Sequence, residues 1–86
     1  MISATLTVKN KTGLHARPAA ALVKLCNKFQ SDLSIVAGDS SVDPKSIVDL
    51  LSSGIKQGTA IEITADGADE QKALDEIVAL IESFAE

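Results

Sequence analysis

Period-two alternation opens the chain and constrains it most. Ile2, Ala4, Leu6 and Val8 alternate with Ser3, Thr5, Thr7 and Lys9. That spacing puts apolar side chains on one face of a strand and polar ones on the other. Ile61, Ile63 and Ala65 alternate with Glu62 and Thr64 in the same way, and Leu33, Ile35 and Ala37 mark another strand. Strands with one polar face cannot be covered on both sides. The simplest packing is one mostly antiparallel sheet with helices on a single side.

The segments between the strands supply those helices. Asn10 to Gly13 is a turn-prone loop. Pro18 suits the first turn of a helix, where its missing N–H is not needed. The pattern predicts that this helix runs to about Phe29 and buries Ala19, Leu22, Leu25, Cys26 and Phe29. Gly38-Asp39 is a hairpin turn leading to a short strand around Ser41-Val42. Ser46 with Asp49 three residues on fits a capping box for a short helix, which Gly54 ends. Asp66-Gly67 turns the chain, and Asp69 is placed to cap a last helix. That helix buries Ala73, Leu74, Ile77, Leu80, Ile81 and Phe84 at helical spacing. The order is βαββαβα in an α+β chain of 86 residues, read as one domain over residues 1–86.

A chain this short buries roughly 60–65% of its unfolded surface. Phe29 and Phe84 are its only aromatic residues, so the core must be aliphatic. Cys26 is the single cysteine and His15 the single histidine. An internal disulfide and an all-Cys/His zinc site are therefore excluded, and no metal or cofactor is expected. The N-terminus lacks the pattern of a signal peptide, and no apolar run approaches the ~18 residues of a membrane span. Together these point to the cytoplasm.

The net charge of −4 is unevenly spread. Residues 1–30 hold Lys9, Lys11, Arg17, Lys24 and Lys28 and no acid, whereas residues 60–86 hold eight acids and only Lys72. Phosphate, or an acidic partner surface, would be drawn to the basic end. A solvated mixed surface is the other reading of this pattern.

His15 lies in that basic third, in the run Gly13-Leu14-His15-Ala16-Arg17-Pro18-Ala19-Ala20, where a loop passes into a helix. The first turn of a helix has unpaired N–H groups and the positive end of the dipole, which favour phosphate. A reversible phosphoryl carrier needs a nucleophile that forms a labile bond, and imidazole does so. The ring must be neutral to attack, and a helix N-terminus lowers its pKa in that direction. Arg17 presents a planar fork suited to phosphate oxygens. Gly13 allows a positive φ or a close approach. On position alone, a surface histidine or a neutral cap is the other reading.

The run Asn10-Lys11-Thr12-Gly13-Leu14-His15-Ala16-Arg17-Pro18-Ala19-Ala20 resembles the active-site signature of the HPr family, the histidine-containing phosphocarriers of the bacterial phosphoenolpyruvate:sugar phosphotransferase system. The likeness extends along the chain. Pro44-Lys45-Ser46-Ile47 is similar to the family's regulatory serine segment. Gln57-Gly58-Thr59 and residues 65–73 are similar to its later strand and the start of its final helix. The resemblance implies an open-faced β-sandwich with sheet order 1-4-2-3 and three helices on one face. It implies phosphorylation of His15 on Nδ1 by enzyme I, with phosphoenolpyruvate as first donor. EIIA domains of sugar permeases would receive the group, and Arg17 would stabilise the phosphate. Thr12, Lys24 and Lys28, with Ile47, Val48 and Leu51 by the short helix, would form the partner-docking surface of a monomer. At least one of those three apolar residues is expected to pack in the core instead.

Ser46 reads first as an N-cap. The resemblance adds phosphorylation by HPr kinase/phosphorylase and binding to the catabolite control protein, with Lys45 fitting such a site. Asp43-Pro44 stands where the family has small residues. Other readings are a carrier of a nitrogen-related or dihydroxyacetone branch and a purely regulatory interaction protein. The presence of His15 speaks against the last. A nucleic-acid binder fails on chemistry, with no Trp or Tyr, one arginine and a pI near 4.8. No nucleotide-binding loop or base-oriented nucleophile argues for an enzyme in its own right.

Overall fold

A computed structural model describes every residue except Thr12, His15, Ala85 and Glu86; of Ala16 it describes the backbone alone. Chain order is β1 (Ile2–Thr7), α1 (Ala16–Cys26), β2 (Asp32–Ala37), β3 (Ser40–Val42), α2 (Ile47–Ser52), β4 (Ala60–Asp66) and α3 (Glu70–Ser83). The four strands form one antiparallel sheet in the order β1-β4-β2-β3. This is the α+β, open-faced arrangement expected from the alternation and the resemblance.

Register explains why the alternation works. Ala4 pairs with Ile63, Ile63 with Ile35, and Ile35 with Val42. One apolar row thus crosses all four strands and faces the helices. The buried side chains form one cluster of Val, Ile, Leu and Ala with Cys26 and Phe29. β4, inside the sheet, buries Ile61, Ile63 and Ala65, whereas Ile2, Ala4 and Leu6 on the outer strand β1 are half-buried. The β2–β3 hairpin turns through Gly38-Asp39, with Ala37 opposite Ser40. Among the described residues, no helix is long and apolar enough to cross a membrane.

Several expectations need correction. α1 stops at Cys26, three residues short of Phe29. Phe29 still reaches the core, because Lys28 N–H and Phe29 N–H bond to Leu25 O and Cys26 O in a tight turn after the helix. Leu25, Leu80 and Phe84 are half-buried rather than buried.

The capping box of α2 is only half formed. Ser46 Oγ accepts from Asp49 N–H at 3.3 Å, but the Asp49 carboxylate accepts from Asp43 N–H, also at 3.3 Å, instead of Ser46 N–H. Asp69 holds the N-cap position of α3 but makes no side-chain cap. Its carboxylate instead accepts from Gln30 N–H at 2.9 Å, from Ser31 N–H at 3.0 Å, and from the Ser31 hydroxyl. It therefore ties the α1–β2 loop to the start of α3. Glu70 closes the preceding turn by accepting from Gly67 N–H at 3.1 Å.

Candidate functional site

The loop that leads into α1 is held by backbone geometry. Gly13 N–H bonds to Asn10 O at 3.1 Å, and the buried Asn10 side chain donates back to Gly13 O at 2.6 Å. Leu14, fully buried, donates its N–H to Ile55 O at 3.1 Å. Val8 exchanges bonds with Thr59 O and Gly58 N–H, and the Gln57 amide donates to Lys9 O at 3.0 Å. The loop after β1 is thereby laced to the loop before β4. Gly13 sits at φ +65, and a Cβ there would meet Ile55 O and lie within 2.5 Å of Lys56 Cα. Only glycine meets both conditions without strain.

His15 and Thr12, two of the residues singled out from the sequence, lie outside the described residues. Arg17 is exposed on the first turn of α1, a turn with no acidic residue. Pro18 is buried in that turn, where the missing N–H leaves no bond unmade. Lys24 is exposed in the last turn of α1, and Lys28 is exposed in the turn that follows.

α2 packs beside α1. Of its four large apolar residues only Leu50 is buried; Ile47, Val48 and Leu51 are 39%, 68% and 46% exposed. The expectation that one of those three packs in the core is therefore overturned. In a six-residue helix, Leu50 alone fills the inward position and turns the other three to solvent. Ser46 is half-buried at the N-cap.

Two side chains fix α2 against α1, and the sequence reading missed both roles. The Asn27 amide donates to Val23 O at 2.9 Å and to Lys45 O at 3.1 Å. Lys45 Nζ donates to Phe29 O and to Ser31 O, each at 3.0 Å. The lysine expected to serve Ser46 instead satisfies carbonyls left open after α1 ends. A terminal amide just past a helix is the only local hint of the first contact. Nothing local signals the second. Cys26 lies fully buried beneath this junction, and loss of solvent pushes its thiol up to about 12, against a smaller opposing pull from Lys45. It behaves as a core residue.

Exposed cations on and after α1 and exposed apolar residues of α2 thus lie on two helices packed together. Comparisons with known proteins bear on the family of the chain. The family model described as the PTS HPr component phosphorylation site matches residues 2–83. The phosphocarrier protein HPr of Haemophilus influenzae is 41% identical over 81 residues, which is 94% of this chain and 95% of that protein. The crystal structure of HPr-C-His from Thermoanaerobacter tengcongensis superposes with a TM-score of 0.93 at 43% identity, covering 96% of this chain and 93% of that one. A crystal structure of Crh, a Bacillus subtilis catabolite-repression protein described as a domain-swapped dimer, matches with a TM-score of 0.75 at 39% identity, over 95% and 94% of the two chains. Sequence, sheet order and the match over nearly the whole length agree, and the chain belongs to the HPr family of the phosphotransferase system.

Proposed function

We propose that this chain is a phosphoryl carrier whose acceptor is His15. A lone pair on Nδ1 attacks the phosphorus held by phosphorylated enzyme I, whose supply is phosphoenolpyruvate, and the bond to the donor breaks as the N–P bond forms. The group then passes to an EIIA domain of a sugar permease by the same in-line exchange. Arg17 offsets the arriving charge with paired N–H donors. Lys24 and Lys28 draw the acidic faces of both partners, and Ile47, Val48 and Leu51, with Thr12, complete the contact. One observation carries this reading: a family match named for the phosphorylation site, running through an unbroken 10–20 segment. The carrier acts as one domain and as a monomer, its chemistry shared with its partners.

Intact-mass analysis after incubation with enzyme I and phosphoenolpyruvate tests this directly. The native chain should gain one acid-labile phosphoryl group, and His15→Ala none. No gain from a competent enzyme I would remove the sugar-branch assignment. A donor from a nitrogen-related or dihydroxyacetone system would then be the next to try.

A second reading, favoured by the likeness to Crh, adds regulation at Ser46. Phosphorylation there by an ATP-dependent kinase would place about −1.5 to −2 charges beside Ile47 and Val48 and repel acidic partners. It would also create the face read by a catabolite control protein. Lys45 does not assist, since its ammonium is held by Phe29 O and Ser31 O. A kinase assay that leaves no acid-stable phosphate on Ser46 would remove this second role.

A further inference from the structure

Ser40, Ser41 and Val42 of β3 face Asp49 and Ser52 of α2, and its C-cap Ser53, across a cleft of about 250 Å³. β3 is the outer strand on its side of the sheet, bonded to β2 through the Ile35–Val42, Val36–Ser41 and Ala37–Ser40 pairs. The other side of β3 presents backbone N–H and C=O groups outward. A groove between an edge strand and a helix is where an extended peptide adds as a further strand. Its backbone bonds to the edge, and alternate side chains enter the groove.

Charge selects the occupant. Asp49 is the one ionisable group in the cleft, and Asp39 and Asp43 flank β3 in sequence; all three are exposed. The neighbouring cation, Lys45, is turned away onto Phe29 O and Ser31 O. A second copy of this chain would bring the same aspartates to the same edge and be repelled. A strand bearing lysine or arginine would be attracted. The opposite edge, β1, carries no charged side chain from Ile2 to Thr7, so it offers no such selection.

We propose that the β3–α2 cleft docks an extended, lysine- or arginine-bearing segment of a partner protein as a fifth strand. The site adjoins the docking face already described: Asp49 is followed by Ser52 and the C-cap residue Ser53 at spacings of three and four, and Ser52 lies four residues from Val48, on the border between the two surfaces.

The test is a two-dimensional amide NMR titration of the full chain with a capped Val-Lys-Val-Lys-Val peptide. Shifts should centre on Ser40 to Asp43, Asp49, Ser52 and Ser53. The analogue with glutamate in place of lysine should produce none. Asp49→Asn keeps an acceptor for Asp43 N–H, and its own backbone N–H still meets Ser46, so the fold is retained. This variant should weaken the lysine peptide by roughly fivefold. Shifts centred on Ile2 to Thr7, equal binding of the glutamate peptide, an unchanged affinity in Asp49→Asn, or no shifts at millimolar peptide would each overturn the proposal.

Discussion

Gly13 and Gly54 both sit at positive φ, yet they carry different loads. A Cβ on Gly54 would meet nothing within 4 Å, whereas one on Gly13 would run into the backbone at Ile55 and Lys56. Gly54→Ala should therefore cost only the left-handed backbone penalty, about 1 kcal/mol. Gly13→Ala adds a clash between main chains that no rotamer relieves, and should cost about 3 kcal/mol or more. Urea unfolding midpoints of the two variants check the order. Asp69 makes the second prediction at this scale. Three donors on the α1–β2 loop hold its carboxyl below the ordinary carboxylate range; the Ser31 hydroxyl is the largest influence and Gln30 N–H the next. A depressed folded-state pKa gives stability that is present above the unfolded value, 3.8, and is lost as pH falls through the lower folded value. The melting temperature of the native chain should thus exceed that of Asp69→Asn at neutral pH, and the gap should close in strong acid. A gap that persists unchanged at low pH would mean that the charge is not what holds the loop. The sequence could not show this role. Asp69 stands where a helix cap stands, and its partners lie 38 and 39 residues away.

Among the elements, the long ones were legible and the short one was not. β1, β4 and α3 each repeat their period often enough that the inward face follows from the pattern, and Ile61, Ile63, Ala65, Ala73, Leu74, Ile77 and Ile81 are buried; Ile2, Ala4 and Leu6 on the outer strand, and Leu80 and Phe84 at the end of α3, share that face but are only half-buried. α2 has six residues, four of them large and apolar. With so few turns, periodicity cannot say which of the four points inward. The packing of α1 and the sheet decides for Leu50. Lacing of the loop before β4 to the loop after β1 was equally hidden, since backbone bonds such as Leu14 N–H to Ile55 O leave no mark on residue type. The division of labour within α2 is testable. Leu50→Ala should cost about 2–5 kcal/mol, because it empties a fully buried site. Val48→Ala, 68% exposed in the native chain, should change stability by less than about 0.5 kcal/mol. On the proposed function, Val48→Ala should instead raise KM for enzyme I while leaving kcat nearly unchanged. Thermal unfolding and steady-state phosphoryl transfer on the same two proteins separate the effects.

At the scale of the molecule, charge is shared unevenly among the elements. The basic residues of α1 stand exposed on a helix that packs beside both α2 and α3, while residues 60–86 carry eight of the twelve acids. An acidic chain overall therefore presents exposed cations on and after α1, and such charges steer association more than they strengthen a formed contact. Lys24 and Lys28 are exposed, so their pull is screened over about 10 Å at 0.1 M salt. On the carrier reading, kcat/KM for phosphorylation by enzyme I should fall several-fold as salt rises from low to physiological strength, with kcat nearly constant. Lys24→Gln/Lys28→Gln should lower kcat/KM at low salt and flatten its salt dependence. At high salt, where screening has already removed the steering, the variant and the native chain should converge. A salt dependence as steep in the variant as in the native chain would place the steering charge elsewhere, with Arg17, Lys9 and Lys11 the remaining cations of the first thirty residues.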